Sequence, residues 1–330
     1  MKTQHILACF LVAAITVFKP VDSSADETPI GPKWWPSPYG AKDEAGATNL
    51  ITPEKVLAAT KLIKQGKVIK LGRNYERGMP MRGNRVFALR IPGGPTGGPF
   101  GKNKIIFNDE FLATEIGQVG TQLDGLGHIG VHVSGKDEGE TRYYNGVTGA
   151  ELISPYGLKR LGVEKLKPLF TTGHLVDMVA QKGGMMDKGQ EISVADIKAA
   201  LAKRGKSHKD IKPGDVVLIH TGWGSLWMKD NKRFNAGEPG IGVEAAKWLA
   251  KKRVALVGSD VWGLEVQPNP DPGLFFPAHQ ILTTKNGILL HENLATERLA
   301  EAGVNTFAYI YTPLPINGAT GSPGSPLAVY

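Results

Sequence analysis

The chain has 330 residues, of which 41% are hydrophobic and 21% charged, a balance typical of a globular protein that excludes a largely disordered one. The formal net charge is +8, but the lysines are spread over several predicted helices, and no helix-turn-helix, zinc-finger or RNA-binding motif accompanies them. We therefore predict a small-molecule substrate and no nucleic-acid partner. Cys9 is the only cysteine, so a chain processed beyond it has no disulfide and no thiolate metal ligand.

The first 25 residues are typical of a secretory signal peptide. A lysine precedes a short apolar run over residues 6–18, and small residues follow up to Ala25. We predict cleavage near Ala25 and a periplasmic or secreted protein. No later apolar run approaches the roughly 20 residues of a membrane helix, so no membrane partner is predicted. Residues 26–330 are predicted to form one domain with an irregular N-terminal arm rich in Pro and Trp.

The pattern of elements along the chain predicts an α/β fold with a mixed sheet. Thr52 is predicted to cap a helix that ends at Gly66, and a strand follows over residues 68–71. Residues 79–104 are rich in Gly and Pro and predict a long loop that serves as a lid or a dimer arm. From residue 170 onward, predicted strands (172–177, 215–219, 254–260, 288–290 and 307–311) alternate with predicted helices (193–205, 243–253 and 295–302).

Polar side chains follow three of these predicted strands. They are His220 with Thr221, then Asp260, and then His291 with Glu292 and Asn293. Functional sites of open α/β sheets lie at the carboxyl ends of strands, so these positions are candidates for a site. Asp260 has the simpler interpretation of capping the turn after its strand.

The segment 118–128 carries Gln118, Gln122, Asp124 and His128, with glycines between them. Side chains alternate faces in an extended chain, so these even-numbered residues are expected on one face. Burying four polar groups is costly unless they find partners, which favours a functional site. The alternative is a polar strand edge that enters a glycine-rich turn.

Without cysteine, metal ligands must come from imidazoles, carboxylates and amides. The candidates are Asp124, His128, His279 and Glu292, with Gln118 and Gln122 as neutral oxygen donors. His128 is a candidate proton shuttle, because imidazole exchanges protons near neutral pH. The sequence lacks a Gly-x-Ser-x-Gly elbow, which argues against a serine nucleophile. The glycine pairs at 93–94 and 97–98 lie in a Pro-rich stretch, which is not the context of a phosphate-binding loop.

The sequence resembles the cyclase family of metal-dependent hydrolases, which includes bacterial kynurenine formamidase and isatin hydrolase. The signature of that family is His-x-Gly-Thr-His-x-Asp-x-x-x-His. The segment 118–128 has glutamine in place of the first two histidines and matches the other four positions, Gly120, Thr121, Asp124 and His128. Further matches follow in the family's order at residues 39–53, 144–146, 214–215, 221–223, 258–260, 279 and 292–294.

The resemblance implies a swivelling β/β/α fold, assembled as a homodimer or homotetramer. It implies a divalent metal, Mn or Zn, held by Asp124, His279 and Glu292, with His128 as the general acid/base. Gln118 and Gln122 take the positions of two histidine ligands. Amides in place of imidazoles are expected to weaken zinc binding, which favours manganese, a single metal ion or none.

The function expected from the resemblance is hydrolysis of an amide or ester by metal-activated water in an exported enzyme. The implied substrates are a cyclic amide, a lactone or an aryl formamide, as for an arylformamidase acting on kynurenine-type aromatic compounds. Candidate substrate-binding aromatic residues are Trp34, Phe111, Trp223 and Trp262, and Arg82 or Arg85 is a candidate for a substrate carboxylate. The alternatives are a binding protein that kept the pocket without a metal, and metal-free catalysis by Asp124 and His128.

Overall fold

The computed structural model describes residues 27–133 and 140–330, and its centre is a nine-stranded mixed sheet. In chain order its strands are β1 (Val68–Lys70), β2 (Gln122–Asp124), β3 (Leu169–Asp177), β4 (Val216–His220), β5 (Leu256–Ser259), β6 (Leu289–Glu292), β7 (Thr306–Tyr311), β8 (Gly321–Pro323) and β9 (Leu327–Val329). Their spatial order is β8-β2-β6-β5-β4-β3-β7-β9-β1. The four strands β3 to β6 run parallel, and the flanking pairs are antiparallel.

The helices of the described residues lie mostly in the connections between these strands. They are α1 (Pro53–Thr60), α2 (Gly149–Leu152), α3 (Met178–Lys182), α4 (Val194–Lys203), α5 (Asn231–Asn235), α6 (Val243–Lys252), α7 (Pro277–His279) and α8 (Glu297–Glu301). A π-helical segment, Gln280–Lys285, continues α7, and short 3-10 turns occur at Gly46–Leu50, Tyr144–Gly146, Val163–Lys165 and Trp223–Leu226. Thr52 and Ser193 cap α1 and α4 through their side-chain oxygens, as the sequence predicts.

The central strands are apolar on both faces because both faces are covered. Along β4, Val217 and Ile219 enter one core with residues of α4 and α6, while Val216 and Leu218 enter the other. The second core also contains Leu152 of α2. Burial of one such side chain stabilises the fold by about 1.5–3 kcal/mol. The two cores fix the sheet, and therefore the ends of its strands.

The predicted mixed α/β architecture is confirmed, but the predicted long loop at 79–104 is wrong from residue 87 onward. The strand Phe87–Arg90 pairs antiparallel with Phe111–Thr114, and Gly97–Phe100 pairs with Ile105–Phe107 inside that hairpin. Gly98 permits the inner pairing, since a Cβ there would collide with the carbonyl oxygen of Ile105. The segment is therefore an arm of nested hairpins.

Smaller pairings lie outside the central sheet. They join Glu27–Thr28 to Gly31–Pro32, Val131–Val133 to Glu140–Arg142, Ile153–Ser154 to Gly157–Leu158 and Glu191–Ile192 to Gly240–Ile241. The predicted signal peptide, 1–25, lies outside the described residues. In the ranges that are described, no helix is long and apolar enough to span a membrane.

Candidate metal centre

The site is built where β2 and β6 run side by side. The two strands are antiparallel, with Gln122 opposite Glu292 and Asp124 opposite Leu290. Alternation sends Leu123 into the core and leaves Gln122 and Asp124 on the face that also carries Glu292. His279, the last residue of α7, approaches this face from a distant part of the chain.

Asp124, His279 and Glu292 bring their side-chain ligand atoms together. One such atom from each residue lies within 4.8 Å of the other two, and all three residues are buried. The Nε2 atom of His279 is 3.3 Å from Oε1 of Glu292 and 3.7 Å from Oδ2 of Asp124. One imidazole and two carboxylates form a donor set that suits a divalent transition metal.

Glu265 fixes the orientation of the His279 ring. Its Oε1 atom lies 2.6 Å from Nδ1 of His279, and its carboxylate also accepts hydrogen bonds from the backbone N–H groups of Ala278 and His279. A carboxylate on Nδ1 leaves Nε2 directed at Asp124 and Glu292, which is how metal-binding histidines are normally oriented. Glu265 was not predicted, and its only sequence signal is an acidic residue between the apolar Leu264 and Val266.

The electrostatics of Asp124, His279 and Glu292 favour a bound cation. Burial, and then the charge of Asp124, raise the pKa of Glu292 to about 7. Burial works against protonation of His279, yet the neighbouring carboxylates of Glu265 and Glu292 raise its pKa well above the ordinary value. Within residues 27–133 and 140–330, the buried oxygens Oε1 of Gln122 and Oε1 of Glu292 also accept no hydrogen bond. These residues therefore fit a divalent metal ion, which would supply the missing positive charge.

The two glutamines contact the candidate ligands through their amide nitrogens. The Nε2 atom of Gln122 donates to Oε2 of Glu292 at 2.8 Å, and that of Gln118 donates to Oδ1 of Asp124 at 3.2 Å. In Gln122 this arrangement leaves the amide oxygen available as a further ligand. The metal-ligand roles of both glutamines stay predictions.

His128 lies at the edge of the same group. Its Nε2 atom is 3.8 Å from Oδ2 of Asp124, its Nδ1 atom is 3.4 Å from Nε2 of Gln118, and its side chain keeps 22% of its surface exposed. A partly exposed imidazole beside the candidate ligands is suited to exchange protons with a bound molecule. The extended register does not continue from Gln118 to His128, because Gly120 has φ +62° and the strand covers only Gln122–Asp124. All four polar residues of the segment nevertheless line one cavity.

The cavity has a volume of about 280 Å³, which suits a small ligand. Its floor is the candidate metal centre, and aromatic rings of Trp262, Phe275 and Phe276 form a wall. The ring of Phe276 stands edge-on to His279, with centroids 5.0 Å apart. Arg82 and Arg85 also line this cavity.

Of the predicted aromatic residues, Trp262 lines the cavity, and the other three do not. Trp223 is fully buried and donates its indole N–H to the carbonyl of Phe234 at 3.2 Å. Trp34 packs with Val131 and Val133 in a separate apolar cluster. Phe111 is 61% exposed on the arm of nested hairpins.

His220 at the end of β4 and Asp260 directly after β5 form a buried pair outside the cavity. Nδ1 of His220 lies 3.3 Å from Oδ2 of Asp260, and the Asp260 carboxylate also accepts the backbone N–H groups of Thr221 and Gly222. Burial raises the pKa of Asp260, but the hydrogen bond and charge of His220 outweigh it and lower the pKa to about 2. Burial lowers the pKa of His220, and Asp260 outweighs it and raises the value. The pair therefore joins the ends of β4 and β5.

We expect Asp260→Asn to lower the free energy of unfolding by about 3 kcal/mol near pH 5, because it leaves His220 without its buried counter-ion.

The depressed pKa of Asp260 stabilises the fold above pH 3.8, and this contribution is lost as pH falls through about 2. The raised pKa of His220 stabilises the fold below pH 6.5, and this contribution is lost as pH rises through the raised value. The loss in the variant should thus be larger at pH 5 than at pH 9. Urea unfolding at both pH values measures it, with the exposed Asp109→Asn as control; an equal loss at both would contradict the assignment.

Comparison with known proteins identifies the family. A family model described as "Putative cyclase" matches residues 41–266. A solved structure described as a novel cyclase is 33% identical, with 88% of this chain and 96% of that chain covered and a TM-score of 0.77. Isatin hydrolase A from Ralstonia solanacearum is 18% identical, with 84% and 98% covered and a TM-score of 0.58. The comparison with curated proteins gives no match.

An isatin hydrolase bound to the product analogue thioisatinate is also similar, at 21% identity, with 84% of this chain and 98% of that chain covered and a TM-score of 0.56. At this identity the isatin hydrolases share the fold. The family model covers well over half of the chain, and the 33% identical structure agrees with it. The chain belongs to the cyclase family.

Proposed function

We propose that this protein is an exported, metal-dependent hydrolase that cleaves an amide or ester bond in a small aromatic compound, such as a cyclic amide, a lactone or an aryl formamide. The observation that carries the proposal is the buried group of Asp124, His279 and Glu292 with His128 in the same cavity. The isatin hydrolases that share the fold support this reaction class. Export rests on the signal-peptide pattern of residues 1–25.

The roles of the residues follow from their positions. Asp124, His279 and Glu292 would hold the divalent ion, which, when bound, polarises a carbonyl and makes water a better nucleophile. Trp262 and Phe276 bind the aromatic part of the substrate and limit access of bulk water. Hydrolysis adds a hydroxyl group to the carbonyl carbon and a proton to the leaving nitrogen or oxygen. His128 accepts the proton from water and returns it to the leaving group.

The proposal is tested by metal analysis of the purified protein together with a panel of formanilides, lactones and cyclic amides. We expect about one divalent ion per chain and turnover that chelation abolishes and added metal restores. Turnover that survives chelation would instead support metal-free catalysis by Asp124 and His128. Tight binding of panel compounds without a metal and without turnover would instead support a binding protein. Either of these two outcomes would overturn the proposal of a metal-dependent hydrolase.

We propose that the metal is Mn or Zn and that the amide oxygens shift the preference towards Mn. Replacement of Gln122 by His should raise the affinity for Zn²⁺ by about 10- to 100-fold relative to Mn²⁺, because imidazole is the better zinc ligand. Competition with a chelating dye measures both affinities. Gln65→His, on an exposed position, is the matched control. An unchanged Zn/Mn ratio in Gln122→His would mean that this side chain does not reach the ion.

We propose that the protein is a homodimer or homotetramer whose contact includes the arm of nested hairpins. The arm exposes a cluster of large apolar side chains, Leu89, Phe100, Ile106 and Phe111. We expect light scattering to give a multiple of the chain mass, and Phe111→Asp to reduce it. Tyr156→Asp, at an even more exposed aromatic residue outside the arm, should leave the mass unchanged. A monomeric wild-type protein would contradict the proposal.

A further inference from the structure

Two arginines line the cavity that holds the candidate metal centre. Arg82 and Arg85 are both part of its wall, with the three candidate ligands at its floor. In the ranges the structure describes, neither guanidinium forms an ion pair with a carboxylate. Arginine stays charged at every physiological pH, so the two residues give this part of the wall a positive charge.

Aromatic contacts hold Arg82 in place. Its guanidinium carbon lies 3.8 Å from the centroid of the Trp262 ring and 5.6 Å from that of Phe276. Stacking occupies the face of a guanidinium and leaves its N–H groups at the edge for another partner. Arg82 therefore packs against the aromatic wall of the cavity, and this wall would contact an aromatic ring of the ligand.

Arg85 is connected to the candidate ligands through one side chain. Its Nη2 atom donates to Oε1 of Gln118 at 3.3 Å, and Gln118 in turn donates to Asp124. Gln118 also lies 3.4 Å from Nδ1 of His128. The side chain of Gln118 would thus lie between an anion bound by Arg85 and the groups proposed to act on the scissile bond, Asp124 and His128.

The charges of the cavity favour an anionic ligand. Partial burial lowers the pKa of Arg82, and the neighbouring Arg85 lowers it further because the two cations repel each other, while the carboxylates of Glu238 and Glu292 oppose this shift. A divalent ion at the floor would balance the carboxylates of Asp124 and Glu292. The carboxylates at the floor would then no longer attract the two arginines, and an anionic group of the ligand would serve as their counter-ion.

We propose that the substrate is an aromatic compound with a carboxylate next to the bond that is cleaved, and that Arg85, with Arg82 beside it, binds this carboxylate. The proposal rests on the proposed hydrolase function and names its substrate class. A planar carboxylate can accept two parallel N–H groups from one guanidinium, so Arg85 acts as a specificity-determining residue.

The experiment compares formanilide with 2-formamidobenzoate, which differ by one ring carboxylate, on the full chain loaded with Mn²⁺. We expect the wild type to favour 2-formamidobenzoate in kcat/KM by about 10-fold or more. Arg85→Gln should lower kcat/KM for this substrate by about 30-fold relative to formanilide, mainly through KM, since a charge-assisted hydrogen bond is lost. Arg85→Lys should restore part of it. Arg90→Gln, an exposed arginine on the arm, is the matched control and should keep the wild-type ratio.

Calorimetric titration with benzoate and benzamide supplies a readout that needs no turnover. The wild type should bind benzoate more tightly, and Arg85→Gln should lose the preference. Equal use of both formamides together with equal binding of both probes would overturn the anion site and leave the hydrolase intact. An Arg85-dependent preference for benzoate without turnover of either formamide would support the anion site and count against the proposed hydrolase. A fall in kcat alone, equal for both formamides, would overturn carboxylate binding by Arg85.

Discussion

Asp124→Asn should reduce the affinity for Mn²⁺ by more than about 100-fold and bring turnover to the level of the metal-free protein. Loss of a residue that only orients a ligand costs 10- to 100-fold in metal affinity, and loss of a ligand carboxylate should cost at least as much. Asparagine keeps the shape of the side chain and removes its charge. Equilibrium dialysis with metal analysis measures the affinity, and Asp109→Asn, on an exposed position, is the control.

The stability of the same variant separates a lost ligand from a damaged fold. Asp124 and Glu292 repel each other in the buried site, and the charge of Asp124 contributes to the raised pKa of Glu292. The metal-free Asp124→Asn protein should therefore melt at or above the temperature of the metal-free wild type. Added Mn²⁺ should raise the melting temperature of the wild type and leave that of the variant unchanged. Wild-type metal affinity in the variant would remove Asp124 from the ligand set.

The sequence predicts the parts of the site that follow from local geometry. Gln122 and Asp124 are two residues apart on a strand, and alternation alone places them on one face. Glu292 ends a buried parallel strand, where open α/β sheets carry polar groups. Gln118 reaches the same cavity through a turn rather than through strand register, because Gly120 adopts a positive φ.

Residues that depend on tertiary packing could not be predicted in this way. His279 lies on a three-residue helix with no periodic pattern, so its residue type made it a candidate ligand but its position beside Asp124 and Glu292 could not be derived from the local sequence. Glu265 acts by orienting His279, so its role can be recognised only once the position of that imidazole ring is known. Trp223 and Trp262 both follow strand ends and both donate to the carbonyl of Phe234, yet only Trp262 reaches the cavity.

The hairpin arm shows the same limit at the level of secondary structure. Glycine and proline at residues 92–99 indicate a break in regular structure, and a short strand that contains Gly97 and Gly98 has almost no apolar alternation. The pairing arises because glycine lets the backbone of Gly97–Phe100 approach that of Ile105–Phe107. Such a strand is defined by its partner and not by its own side chains.

His128→Ala should lower kcat by about 100- to 10,000-fold while metal affinity stays within a few-fold of the wild type. The imidazole lies 3.8 Å from Asp124 and stays partly exposed to the cavity, so it is placed to move protons and is not needed to hold the ion. Turnover of 2-formamidobenzoate and metal analysis on the same preparation measure the two effects. His132→Ala, an exposed histidine on a neighbouring strand, is the matched control and should behave as wild type.

The outcome of this substitution also distinguishes the mechanisms. If His128→Ala loses turnover while chelation of the wild type does not, Asp124 and His128 act without a metal. If it loses turnover and keeps its metal, the acid/base role stands beside the metal role. Full turnover in His128→Ala would leave the proton transfer to another group, and Glu292, whose pKa is raised to about 7 by burial and by Asp124, would be the next residue to replace.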